Sequence, residues 1–149
     1  MTLDFQVLGP KDIEEVFTFA EQRLVQQVPD ENERMFRSWE VKWRREALEH
    51  YLKIGWCFIA RENKAVAGFF MAQPFLFFRG QTQTLWVEHI EARDAATEES
   101  LAEVAVRVAR EKHLQRVLFA DADRLERAIA KWSPKPLGDA IAEIKTTKG

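Results

Sequence analysis

Glu88 and His89 carry the clearest acid–base potential in this 149-residue chain, a carboxylate beside an imidazole within a run of β-forming residues, 82–92. Either group can take a proton near neutral pH when its surroundings tune it. Side chains alternate along a strand, which predicts Leu85, Val87 and His89 on one face and Trp86, Glu88 and Ile90 on the other. Only one of the pair can then address a cleft. The alternatives are a glutamate paired with a nearby arginine and a hydrogen-bonded core histidine.

The segment Arg93-Asp94-Ala95-Ala96-Thr97-Glu98-Glu99-Ser100 follows, and from Leu101 the period becomes helical through Val104, Ala105, Val108 and Ala109. A strand running into a helix N-terminus is a place where a phosphate can sit on free backbone N–H groups. Here Thr97 is predicted as N-cap, with Glu98 and Glu99 in the first turn, so the helix start satisfies itself. Asp94, Glu98 and Glu99 would also repel a diphosphate.

Other reactive residues are dispersed. His50, His89 and His113 lie on three separate predicted elements without metal-ligand spacing, so no metal is predicted. Cys57, inside the apolar run WCFIA, is expected as a small buried hydrophobe, and a single cysteine excludes an internal disulfide. Lys42, Arg44 and Arg45 beside Trp39 and Trp43 form a basic, aromatic patch of the kind that grips phosphates or acidic partners. Glu40, Glu46 and Glu49 are interleaved with it, which favours a solvated helix face laced with ion pairs.

Composition sets the frame for these groups. With 46% hydrophobic and 31% charged residues, eleven Phe and five Trp, the chain is a packed globular protein, most simply one domain over 1–149. A formal charge of −2 gives no general attraction to nucleic acid or to an anionic membrane. No apolar run approaches a membrane span and the N-terminal residues lack a signal-peptide pattern, so a cytoplasmic location is expected. Phe69, Phe70, Phe75, Phe77, Phe78 and Trp86 exceed what one face of a small sheet needs. Some are expected either to line an acyl-sized cleft or to form a subunit interface, possible in a homodimer.

In order, the pattern predicts a strand over 3–8, stopped by Gly9-Pro10, and a helix from Asp12 bearing Ile13, Val16, Phe17, Ala20 and Leu24. A second helix over 33–53 carries Phe36, Trp39, Trp43, Ala47 and Tyr51 down one side and ends at Gly55. Strands 56–61 and 65–73 form a hairpin through Glu62-Asn63-Lys64, with Pro74 ending the second. Residues 75–81 either extend that strand past a bulge or pack as a loop before Arg79-Gly80 turns into strand 82–92. After the long helix come a strand over 116–120, a helix over 121–132 with Leu125, Ala128, Ile129 and Trp132 inward, and a last strand over 140–146.

This β-α-α-β-β-β-α-β-α-β order, with local texture such as VEHIEA and AREKHLQRV, resembles the GCN5-related N-acetyltransferase (GNAT) family over nearly the whole chain. The resemblance implies an α/β (α+β) fold, a mixed and largely antiparallel sheet flanked by helices, and acetyl transfer from acetyl-CoA to a small-molecule or protein amine. The family's turn after the fourth strand is Gln or Arg, two residues, Gly, one residue, then Gly or Ala. Laid on residues 93–98, it matches Arg93 and tolerates Ala96, but meets Glu98 where a small residue belongs. By resemblance, Arg93, Ala95, Ala96 and Thr97 would hold the coenzyme, and Glu88 or His89 would be the base. The family's leaving-group acid is often a tyrosine in the last helix; Lys131-Trp132 stands there, and the one tyrosine, Tyr51, lies in the second predicted helix. The alternative is a GNAT-fold binding module that does not take coenzyme A.

Overall fold

A computed structural model describes residues 2–78, 81–137 and 141–147. Seven strands form one sheet in the order β1-β2-β3-β4-β5-β7-β6. They are β1 (Asp4–Val7), β2 (Phe58–Glu62), β3 (Ala65–Phe78), β4 (Gln81–Ala92), β5 (Arg116–Phe119), β6 (Lys135–Pro136) and β7 (Ala142–Lys145). The β4–β5 pair is parallel and the other pairs are antiparallel. The helices are α1 (Ile13–Gln27), α2 (Glu31–Arg37), α3 (Arg45–Ile54), α4 (Ala95–Glu111) and α5 (Glu126–Ile129), the last running into a 3-10 turn, Ala130–Trp132. One core joins α4 and α5 to one face of the sheet through Leu85, Val87, Ile90, Leu101 and Ala105. The other joins α1 and α3 to the opposite face through Val16, Leu48, Phe69, Met71 and Trp86. The mixed, largely antiparallel architecture is thus as predicted.

Four elements differ from the sequence pattern, among them the helix predicted over 121–132, which is α-helical only over Glu126–Ile129 after turns at 121–125. The helix expected over 33–53 is two helices, α2 and α3, separated by turns at 38–40, where the Ser38 hydroxyl donates to the Met35 carbonyl at 2.6 Å. The break lets Trp43 bury edge-on against Phe17, ring centroids 5.6 Å apart, while Phe36 and Trp39 stay exposed. Pro74 does not end β3, which pairs with β4 as far as Phe78↔Gln81. The β2–β3 ladder stops at Phe58↔Phe70, so at Pro74 the strand has lost that neighbour and the missing N–H breaks no ladder bond. The predicted Arg79-Gly80 turn lies outside the described residues, as does Ala140 at the start of the predicted last strand. The short β6, unforeseen in the sequence, pairs with β7.

Local chemistry explains the joints. Asn63 and Lys64 both take positive φ, 49° and 71°, the backbone a tight β2–β3 turn requires. Asp30 caps α2 through the N–H groups of Asn32 and Glu33. Asp12 stands at the N-cap position of α1, but its carboxylate makes no cap bond to that helix and accepts from Gly9 N–H at 3.0 Å, closing the 3-10 turn ahead of it. Gly68 sits where a Cβ would lie 2.7 Å from the Glu91 carbonyl oxygen and 2.9 Å from Leu101, so its small size sets the approach of α4 to the sheet. Among the described residues no helix is long and apolar enough to cross a membrane.

Candidate functional site

The decisive local feature is a bulge in β4. Ala72 pairs with Val87, yet the adjacent Met71 pairs with His89, so Glu88 is an extra residue opposite the junction. The bulge inverts the alternation. Leu85, Val87, Ile90 and Ala92 all face α4, whereas Trp86, His89 and Glu91 face the side of α1 and α3. The prediction that His89 shares a face with Leu85 and Val87 is therefore corrected, as is the rule that Glu88 and His89 must point apart. A period of two fails where one residue is inserted.

Glu88 is held by two donors on that side. Its Oε2 accepts from the Trp86 indole N–H at 2.6 Å and from the Tyr51 hydroxyl at 3.0 Å. The tyrosine that sequence placed remotely is thus brought to β4 by α3, where it is flanked by buried Leu48 and Leu52. Burial foremost, and then the neighbouring Glu88 charge, raise the Tyr51 pKa, so the phenol stays protonated. Trp132, at the position where the family's tyrosine is usual, packs on the α4 side of the sheet with Lys131 over its ring, away from Glu88.

His89 and Glu91 form the second constellation. The His89 Nε2 lies 2.9 Å from Glu91 Oε1, and the Arg23 Nε of α1 donates to Glu91 Oε2 at 2.5 Å. Burial pushes the His89 pKa below its ordinary value, outweighing the upward pull of Glu91, so the ring is neutral at pH 7. Burial alone would raise Glu91, but the bonds from His89 and Arg23 hold its pKa down and keep it ionised. A neutral imidazole beside a carboxylate donates from Nε2, which leaves the Nδ1 lone pair, a buried atom without a hydrogen-bond partner among the described residues.

These two residues line a pocket of about 570 Å³ beneath α1, together with Trp43, Lys42, Asp121 and Arg124. Lys42 pairs with Asp121 at 3.1 Å, and Asp121 takes a positive φ of 54° where β5 leaves the sheet. The basic patch expected at 42–45 is therefore spent on ion pairs: Arg44 reaches Glu46 and Arg45 bonds Glu14. Cys57 is fully buried, its thiol pushed up to about 12 by desolvation, an inert hydrophobe as expected.

A different pocket, about 510 Å³, lies at the start of α4 against α5 and includes Ala95, Ala96, Glu98, Glu99, Asp123, Arg124, Glu126 and Arg127. The N-cap is Asp94, not Thr97. The Asp94 carboxylate accepts from Thr97 N–H at 2.8 Å, and Thr97 is buried one turn inside the helix. An extended Asp94 three residues before Thr97 makes the cap sooner than Thr97 could. Arg93 points elsewhere, to Glu62 at 2.9 Å and Asp94 at 3.4 Å. Of the predicted coenzyme residues, only Ala95 and Ala96 line this pocket, among four carboxylates and two guanidiniums. Such a lining does not fit the diphosphate of coenzyme A, which needs free amides and positive charge.

A family model described as "Protein of unknown function (DUF1999)" matches residues 3–143. The chain belongs to the DUF1999 family. No curated protein matches it. Solved structures do. The PaiA N-acetyltransferase of Thermoplasma acidophilum, in complex with coenzyme A, superposes with a TM-score of 0.67 at 14% identity, over 97% of this chain and 99% of that one. A GNAT-family acetyltransferase of Listeria monocytogenes gives 0.70 at 8% identity, over 96% and 94%. A Thermus thermophilus protein gives 0.58 at 22% identity, over 86% and 85%. This DUF1999 chain therefore has the GNAT acetyltransferase fold.

Proposed function

We propose that this DUF1999 protein keeps the acceptor half of an acyl-CoA N-acyltransferase and has lost or altered the donor half. It binds a small amine in the pocket beneath α1. The difference between the two pockets carries this reading: a neutral imidazole on an ionised carboxylate lines one, whereas the other holds no such acid–base pair and its helix start is capped by Asp94. Glu40, Glu91, Asp121 and Asp123 line this pocket beside Arg37, Lys42 and Arg124, an excess of one carboxylate for a cationic ligand, and an ammonium that displaced the packing over the buried His89 Nδ1 could pass it a proton while Glu91 steadied the imidazolium.

Acetyl transfer from acetyl-CoA, with Glu88 or His89 as base, is the second reading, and it requires Arg93 to leave Glu62 and Asp94 before it could meet a diphosphate. The β4 bulge favours it, because bulges collect beside active sites and this one gathers Glu88, Tyr51 and His89 on one face. Thermal shift separates the two, since a ligand that binds only the folded state raises the melting temperature by mass action. Acetyl-CoA and coenzyme A are expected to give no saturable rise, while a panel of primary amines and amino acids gives at least one that Glu91→Gln abolishes. Saturable coenzyme binding, lost on Arg93→Ala, would instead establish the second reading.

A further inference from the structure

The parallel ladder between β4 and β5 runs from Thr84↔Arg116 to Val87↔Phe119, with the Ala120 N–H still reaching the Val87 carbonyl at 3.1 Å. Beyond the Glu88 bulge, β4 continues to Ala92 while β5 has ended. Past the bulge the β4 backbone therefore has no β5 strand beside it. A backbone carbonyl withdrawn from both sheet and water is costly unless something else donates to it. The Arg124 Nη2 does so, bonding the Ile90 carbonyl at 2.8 Å.

Arg124 also stands 3.6 Å from the Glu98 carboxylate at the start of α4. It contributes to the lining of both pockets, the one beneath α1 and the one at α4. Arg124 and the adjacent Asp123 are the residues common to both linings, so the two pockets adjoin at this point, beyond the end of β5.

We propose that Arg124 is the specificity-determining residue of this cleft, a plug that keeps apart two pockets which without it form one continuous channel along the free edge of β4. The inference rests on the reading above, in which the donor half is altered, and adds a cause independent of the acidic turn. The plug excludes by volume, and by satisfying the carbonyl that a threading ligand's amide would otherwise take. It therefore rejects even an uncharged arm that the carboxylates would not repel.

S-acetylpantetheine is the suitable probe, an unbranched thioester arm with amide groups and no phosphate. Calorimetry with the parent protein and with Arg124→Ala, Arg124→Met and Glu98→Gln tests the plug. Arg124 is partly exposed, with 41% of its side chain accessible, and the melting temperature of each variant verifies folding. Arg124→Ala is expected to bind the probe at least tenfold more tightly than the parent. Glu98→Gln, which keeps the arginine, is expected to stay near the parent, and Arg124→Met, which keeps the bulk but frees the Ile90 carbonyl, to fall between the parent and Arg124→Ala. Equal affinity in parent and Arg124→Ala, whether strong or absent, overturns the plug. A gain as large in Glu98→Gln as in Arg124→Ala overturns it too, by assigning the exclusion to charge. Coenzyme A binding by the parent protein bears on the donor-half reading alone, so the two can fail separately.

Discussion

His89 and Glu91 show how burial turns ordinary side chains into a coupled pair. Desolvation holds the His89 pKa below its ordinary 6.5, so between that value and the lower folded one the unfolded chain binds more protons than the native protein. Stability must then fall as the pH drops below about 6.5. Glu91 acts in the same direction lower down: its folded pKa lies below the ordinary 4.5, so its contribution is present above that value and lost on further acidification. Melting temperatures measured from pH 8 to pH 4 should decline in two stages. His89→Gln should remove the first stage and leave the second. A slope between pH 7 and pH 5 that is unchanged in His89→Gln would mean that the imidazole is not held neutral by its burial.

The start of α4 decides more at the level of elements than any other joint. Asp94 caps it, Arg93 anchors the preceding residue to Glu62, and the Arg93 N–H donates to the Ala67 carbonyl at 2.9 Å. Asp94→Ala is expected to cost about 1 kcal/mol in urea unfolding, the usual loss for an N-cap. Asp94→Asn, which keeps an acceptor oxygen, should recover most of it. A negligible effect of Asp94→Ala would show that the helix start is held by packing of Thr97 and Leu101 instead. The β3–β4 hairpin is an element of another kind. Past the end of β2, β3 is an edge strand on β4, so Pro74 breaks no ladder bond there, and beyond Thr84, where β5 is also gone, the hairpin runs on as a two-stranded ribbon.

Seen as a whole, the molecule grades its apolar side chains from fully buried to exposed. Phe69 and Phe70 are fully buried, on opposite faces of the sheet, whereas Leu76 and Phe77 on the ribbon are 79% and 78% exposed. Phe77→Ser should therefore change the unfolding free energy by less than about 0.5 kcal/mol, the range for surface positions. Phe69→Ser should cost more than about 3 kcal/mol by leaving a cavity and a buried hydroxyl. Denaturant titration of both variants tests the division. A large loss in Phe77→Ser would show that the ribbon is covered in solution, as an interface between copies would cover it.

The sequence by itself determined the element order apart from the break between α2 and α3 and the short β6, the sheet flanked by helices, α1 and α4 with their inward stripes, and the acidic character of the turn at 93–99. These follow from periodicity and local composition, which act over a few residues. It also singled out Glu88 and His89 while placing His89 on the wrong face. A bulge is a relation between β4 and its partner strand, and no repeat within β4 marks it. Tyr51 reached Glu88 only because the predicted helix broke into α2 and α3 and α3 then packed on β4's face. Thr97 looked like a cap from composition, but the extended backbone of Asp94 was set by the strand it leaves. Arg124 gave no local signal, since its partner is a carbonyl 34 residues away, on a stretch of β4 that runs on after β5 has ended. Side-chain types were legible one residue at a time; which of them meet was fixed by strand register and by where the strands end.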